Sequence, residues 1–385
     1  MTIAPDPGFG LYLHWPFCQS KCPYCDFNSH VATQIDQRRW KDAYLSEIER
    51  AGVATQGRVL HSIFLGGGTP SLMDPDLVAA ILQKIKSTWP MSNAPEITME
   101  ANPGSVEAGR FAAYRDAGVN RVSIGVQALN DDALRQLGRM HSADEAVKAV
   151  KIAQKTFSRV NFDLIYARQG QDLGSWQGEL TTALALGPTH LSLYQLTIEE
   201  GTVFYDRNLR GLLRGLPTED LAADLYALTQ EICDEAGLPA YEVSNHCLPG
   251  EESRHNLTYW RGGDYVGIGP GAHGRLGLAG IRYATECPKE PLYWLRLVEQ
   301  TGFGEIPRVT LGTSETATEY LLMGLRLHEG IWLDRFEMLQ AKKFDPKIAT
   351  ILAETGLVEF DDKLLRATKS GMPMLNSILR ALLSD

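Results

Sequence analysis

The chain has 385 residues, of which 44% are hydrophobic and 22% charged, and a formal net charge of −10. That length allows one large domain and a smaller one, at about 150 residues per domain. The acidic balance, without a long Lys/Arg run, excludes a nucleic-acid partner, whose affinity would be mostly electrostatic. No stretch approaches the roughly 18 apolar residues that span a bilayer. The N-terminal stretch up to Gly8 lacks the basic region and apolar run of a secretory leader. With six cysteines, these features point to a reducing, cytoplasmic compartment, with peripheral membrane contact at most.

From residue 11 to about residue 200, β-rich runs alternate with helical patterns. Strands are expected at Leu11–Trp15, Ser62–Leu65, Ile97–Ala101, Arg121–Val126, Val160–Tyr166 and Leu191–Leu196. Helices are expected at Arg38–Ala51, Asp76–Trp89, Val106–Ala117, Ala143–Phe157 and Ser175–Leu186. Nearly continuous apolar strands in units of roughly 30 residues are the mark of parallel βαβ architecture. Six units fall short of the eight that close a full barrel. The expected fold is α/β, a partial (β/α)6 TIM-like barrel over residues 1–205, with a smaller C-terminal α+β region. After about residue 205 the pattern changes. Residues 206–310 read as a linker and haem-motif region, rich in Gly, Pro, His and Tyr over 240–285, and 311–385 as a winged-helix-like subdomain with a β-ribbon at Gly356–Thr368 and a final helix.

Chemistry concentrates after the first strand, where Cys18, Cys22 and Cys25 fall within eight residues. A closed zinc site takes four protein ligands and an ordinary four-iron cluster four thiolates. Three thiolates therefore leave either a [4Fe–4S] cluster with one iron open to a small molecule, or a zinc site completed by His14, His30 or Asp26. Cys233, Cys247 and Cys287 lack ligand spacing and read as small buried hydrophobes. Other polar and glycine residues fall at strand ends, where such barrels build active sites. They include Gly66–Pro70 after the second strand, Glu100 ending the third, Gln127 ending the fourth and Asp163 in the fifth. A glycine turn lets backbone approach a ligand closely. Glu100 and Asp163 can accept from a cation or hydroxyls, Gln127 can donate or accept, and Arg139 offers a fork for a carboxylate. S-adenosylmethionine presents all of those groups.

The string from Tyr12-Leu-His-Trp through Cys25-Asp-Phe27 resembles the radical S-adenosylmethionine proteins of the oxygen-independent coproporphyrinogen III oxidase group. So do Gly66–Pro70, Met99–Pro103, Ser123–Gln127, Leu137–His141 and Asp163–Tyr166. The resemblance implies that Cys18, Cys22 and Cys25 hold a [4Fe–4S] cluster. It implies that Tyr12, Gly67, Gly68, Thr69, Glu100, Gln127, Arg139 and Asp163 line an S-adenosylmethionine pocket, with Tyr24 beside it. The decarboxylating oxidases of the group carry a further cysteine where this chain has Phe27, and a longer N-terminal arm. His255-Asn-Leu-Thr-Tyr-Trp260 resembles the HNxxYW signature of the HemW-type haem chaperones. The resemblance thus implies a haem-binding protein that passes haem to an acceptor apoprotein, as monomer or dimer, with His255 as iron ligand, Asn256 orienting its imidazole, and Tyr259 and Trp260 against the porphyrin. The alternative is a radical coproporphyrinogen III decarboxylase. One local departure from the group is that Tyr-Ala-Arg-Gln-Gly-Gln171 stands where a Gly-Leu-Pro-like turn is usual.

Overall fold

The computed structural model describes residues 5–383; residues 1–4, the start of the stretch read for a leader, lie outside it. Its centre is an 11-stranded sheet. The strand–helix alternation runs β1 (Phe9–Trp15), α1 (Gln37–Ala54), β2 (Leu60–Gly67), α2 (Pro75–Thr88), β3 (Met91–Ala101), α3 (Ala108–Ala117) and β4 (Arg121–Gln127). It continues through α4 (Ala143–Thr156), β5 (Arg159–Tyr166), α5 (Leu173–Leu184) and β6 (His190–Gln195). These six strands pair in chain order and in parallel, for example Leu11 beside Ile63 and Phe162 beside Leu191. The expected partial barrel is present.

The region expected to be a linker is not one. It contributes α6 (Val203–Leu209), α7 (Glu219–Glu235), β7 (Asn245–Cys247), α8 (Arg254–Trp260), β8 (Asp264–Ile268), β9 (His273–Leu278), β10 (Ile281–Glu286), α9 (Pro291–Thr301) and β11 (Val309–Leu311). β8 runs parallel to β1 on its free side, pairing Leu11 with Val266, and β9, β10 and β11 extend that edge antiparallel. β7 closes the other edge against β6. The glycines have a different cause: Gly267 and Gly274 are strand residues whose Cβ positions would run into the neighbouring strand's backbone, so glycine here marks close strand approach and not a flexible link.

Strand polarity places the site. Outward residues such as Leu11, Ile63, Met99, Val122 and Phe162 are buried under the helices. Inward residues alternate with them, as period-2 geometry requires, and many of these are polar. Ser123, Asn161, Ser192 and Asn245, on four neighbouring strands, join hands inside: Asn161 Nδ2 donates to Ser192 Oγ at 3.0 Å, and Ser192 Oγ donates to Asn245 Oδ1 at 2.7 Å. α4 starts on a capping box, Ser142 with Glu145, the reciprocal arrangement that fixes a helix N-terminus.

The C-terminal part has its own apolar core, which includes Leu321, Ile331, Phe336, Leu365 and Ile378. It comprises α10 (Thr313–Gly324), β12 (Ile331–Trp332), α11 (Leu333–Gln340), α12 (Lys347–Glu354), β13 (Val358–Phe360), β14 (Leu364–Ala367) and α13 (Leu375–Leu383). β13 and β14 form the expected ribbon, and β12 joins them in a three-stranded sheet.

Candidate functional site

The cysteine loop leaves the C-terminal end of β1 and is clamped by the glycine turn that follows β2. Gly68 N–H donates to Trp15 O at 2.7 Å and Thr69 N–H to Phe17 O at 2.8 Å. A Cβ on Gly68 would sit 2.7 Å from Phe17 O, and Gly67 has φ +114° with the His14 ring in its Cβ position. The glycines were expected to make room for a ligand. The space is taken instead by the cysteine loop's own backbone, so a side chain here would push the loop off the sheet.

Around the thiols stand hydrogen-bond donors. Thr69 Oγ1 donates to Cys18 Sγ at 3.4 Å, and Arg139 Nη1 to Cys22 Sγ at 3.4 Å; Ser29 Oγ lies 3.9 Å from Cys25 Sγ. A further residue ties these together: Arg139 Nη2 donates to Asn102 Oδ1 at 2.7 Å, and Asn102 Nδ2 donates to Thr69 Oγ1 at 2.9 Å. Asn102 was missed as a functional candidate. Its signal was its place in the Met99–Pro103 string at a strand end. All three thiols are half-buried and free of disulfides. Burial pushes the Cys18 and Cys25 thiols up, against the pull of the Thr69 and Ser29 hydroxyls. Three thiols from one loop, ringed by a hydroxyl and a guanidinium that donate to sulfur, form a donor set that fits a cluster's thiolate ligands, whose charge such donors stabilise. Among the described residues no group of three or more His, Cys, Asp or Glu side chains is placed to hold a metal ion. Cys233, Cys247 and Cys287 are buried in packing.

Inside the barrel mouth two acids face one another. Burial, and then the charge of Asp163, push Glu100 up to about 8, against one N–H···O bond from Gly67 at 3.0 Å. Burial also raises Asp163, although Ser123 Oγ (3.1 Å) and Asn161 Nδ2 (2.8 Å) donate to it. A buried acidic pair of this kind favours a cation between or beside its members. Tyr12 stacks on Phe64 and donates its hydroxyl to His14 Nδ1 at 2.9 Å, while His14 Nε2–H donates to Asn28 O at 2.8 Å. Gln127 ends β4 with φ +68°, a conformation uncommon for a residue with a side chain. Tyr24 packs on Phe204, beside Arg139. Arg139 was expected to present its fork to a ligand carboxylate; its Nη atoms instead engage Cys22, Asn102 and the Gly125 carbonyl. After β5, Ala167 adopts φ +56° where the group's glycine would stand, and buried Arg168 pairs with Glu179 of α5. The loop keeps a glycine in the left-handed region, Gly170 at φ +70°, and that ion pair ties it to α5.

His255 lies at the opposite end of the barrel. α8 caps the floor, and its imidazole enters the interior beneath Tyr12, 2% exposed, stacked 5.1 Å from Phe64. Asn256 does not orient the ring. Ser62 Oγ does, 3.0 Å from Nδ1, while Asn256 Oδ1 accepts from Tyr259 OH. Burial holds His255 down at about 4, hence neutral. Glu96 anchors the helix, accepting from the N–H groups of Arg254 and His255, each at 3.1 Å, and pairing with Arg159 at 2.6 Å. A motif read as an open haem face is the barrel's plug, because a strand-derived floor needs its N-terminal end sealed from water.

A partial barrel with three loop cysteines, a glycine turn and buried acids at its C-terminal rim is the architecture of radical S-adenosylmethionine proteins, and a Radical SAM superfamily model matches residues 12–177. A HemN C-terminal domain model matches residues 314–374. The chain is 36% identical to haem chaperone HemW of Haemophilus influenzae, covering 98% of this chain and 99% of that protein. It is 43% identical to haem chaperone HemW of Escherichia coli over 70% of this chain and 71% of that one. It is 38% identical to the mitochondrial Radical S-adenosyl methionine domain-containing protein 1 of Bos taurus, covering 99% and 89%. Coproporphyrinogen III oxidase (HemN) from Escherichia coli has the same fold, with a TM-score of 0.82 over 98% of this chain and 90% of that one, at 22% identity. The chain belongs to the radical SAM family that contains HemW and Radical S-adenosyl methionine domain-containing protein 1.

Proposed function

We propose that the protein is a haem chaperone built on a radical SAM scaffold, binding haem and passing it to an acceptor apoprotein. In this reading Cys18, Cys22 and Cys25 hold a [4Fe–4S] cluster. Tyr12, Tyr24, Gly67, Gly68, Thr69, Glu100, Gln127, Arg139 and Asp163 surround S-adenosylmethionine, and the protein works in the cytoplasm. A cluster held by these thiolates would supply an electron for chemistry at the sulfonium of S-adenosylmethionine. The chain's own part is to hold the thiolates with Thr69 and Arg139, and to offer Glu100 and Asp163 to a cation.

What carries the haem reading over decarboxylation is the chain-long similarity to HemW proteins together with Phe27, which stands 58% exposed beside the cluster loop where the oxidases place a thiol. Reconstituted without oxygen, the protein should bind haem on titration and give no coproporphyrinogen III turnover; turnover near one per second or faster would overturn the reading. His255 enters as the iron ligand, on the condition that α8 withdraws from the barrel floor. His255→Ala should then change the haem spectrum at unchanged iron and sulfide content. An unchanged spectrum would move the ligand to exposed His273 or to His246.

For the cofactor pocket, Asp163→Asn should weaken S-adenosylmethionine binding ten- to a hundred-fold, the effect of losing about 1.5–3 kcal/mol of charge-assisted contact, at full iron content. Because Glu100 stands near 8, a cation must displace its proton at lower pH. Affinity should rise as pH approaches 8 and then level off, and Glu100→Gln should flatten that profile. Equal affinities in equilibrium dialysis, with no pH slope, would show that the acids do not face the ligand.

A further inference from the structure

The cysteine loop does not stand alone at the rim. Phe204 of α6 is buried against Tyr24, and its N–H donates to Pro23 O at 2.9 Å. Phe204 and Leu213 share a small core with Leu134, Leu137 and Ile165. The loop, the Leu137–His141 string and the 203–214 segment are therefore one packed unit. Its outward residues are unusually apolar: Met140 is 75% exposed, Leu209 69%, Leu212 62% and Val203 51%. Scattered apolar residues on a surface need no explanation, but a group on one element does.

The same segment carries Arg207, Arg210 and Arg214, all exposed, against one acid, Asp206, in a chain of net charge −10. None of the three arginines forms an ion pair among the described residues. Apolar side chains interleaved with unpaired guanidinium groups complement a flat apolar molecule bearing carboxylates. Haem has that chemistry: a hydrophobic macrocycle with two propionates. We infer that the 203–214 segment is a haem-docking surface on the rim, with Leu209 and Leu212 against the ring and the arginines on the propionates. The inference rests on the haem-chaperone reading and adds to it a second haem contact, separate from His255 at the opposite end of the barrel and binding haem without that ligand.

The test is haem titration of the reconstituted full chain and of a variant carrying Arg207→Gln, Arg210→Gln and Arg214→Gln, whose substitutions are exposed. The dimethyl ester of the porphyrin, which lacks the carboxylate charges, serves as a second probe. The variant should bind haem about tenfold more weakly with unchanged iron content and S-adenosylmethionine affinity. It should bind the ester as well as the wild type does. Leu209→Ser with Leu212→Ser should weaken both probes. Wild-type haem affinity in the arginine variant overturns the inference and leaves the chaperone reading standing; no haem binding by the wild type overturns the chaperone reading itself. If the variant instead loses only its binding to phosphatidylglycerol vesicles, the surface is one for lipid and the inference fails.

Discussion

Alanine at any one of Cys18, Cys22 or Cys25 should take bound iron from about four per chain to near zero after anaerobic reconstitution, because a cluster with three protein thiolates cannot lose one and stay. The broad thiolate-to-iron absorption should vanish with it. Alanine at Cys233, Cys247 or Cys287 should leave iron content unchanged, since all three are buried and none belongs to the loop. Stability is a separate matter for them: removing a buried thiol from a close-packed core leaves a small cavity. Arg139→Ala is the informative intermediate. It removes the donor to Cys22 Sγ without removing a ligand, so iron should remain while the cluster's reduction potential falls, as loss of hydrogen bonds to sulfur dictates. One stoichiometric zinc in oxygen-free protein would defeat the cluster assignment.

Glu96→Gln should cost roughly 3 kcal/mol of stability, the low end for breaking a buried ion pair because Arg159 keeps Glu251 as a second partner. The substitution replaces an acceptor that serves Arg159, Ser253 and the N–H groups of Arg254 and His255. Burial by itself would raise Glu96, but Arg121, Arg159 and those N–H groups hold it below 4.5. A carboxyl depressed in the folded state stabilises above its unfolded pKa, and the contribution is lost as pH falls through the folded value. The gap between wild type and variant in urea denaturation should therefore be full at neutral pH and close below about pH 4.5. Glu251→Gln, at a half-exposed partner, should cost under about 1 kcal/mol. Equal losses for the two variants would mean that Glu96 does not hold the floor. The same variant probes function: if haem iron reaches His255 by withdrawal of α8, loosening its anchor should strengthen the His255-dependent haem spectrum.

Particular residues show how far the sequence reached. Cys18, Cys22 and Cys25 were legible because metal-ligand spacing is local in the chain, and the six strands because buried parallel strands are continuous apolar runs bounded by turns. Strand ends came within a few residues; β3 begins at Met91 and not Ile97, since Pro95 and a register shift against β2 obscured its first half. Glu100 and Asp163 were legible as rim acids, because strand order in a βα barrel fixes which end carries chemistry. The burial and the nearby Asp163 charge that lift Glu100 were not, since they depend on strands that are not neighbours in sequence. Gly67 and Gly68 were legible as a turn, yet only packing revealed that Phe17 and His14 occupy the space. The same limit applied to Arg139, whose donors turn toward Cys22 and Asn102. For residues 206–310 composition pointed the wrong way: β8 becomes a barrel strand through pairing with β1, more than 250 residues away in sequence, and no local pattern encodes that partner. His255 marks the boundary most sharply. Its motif is a string any reader can find, but whether an imidazole meets solvent or the barrel floor is settled by Ser62, Phe64 and Glu96, residues of two other strands. The donor set, the strand–helix order and the family are local properties of the chain and can be read before it folds. Tertiary structure decided which groups face each other, because burial, and the pairing it forces on polar atoms, exist only once distant segments pack.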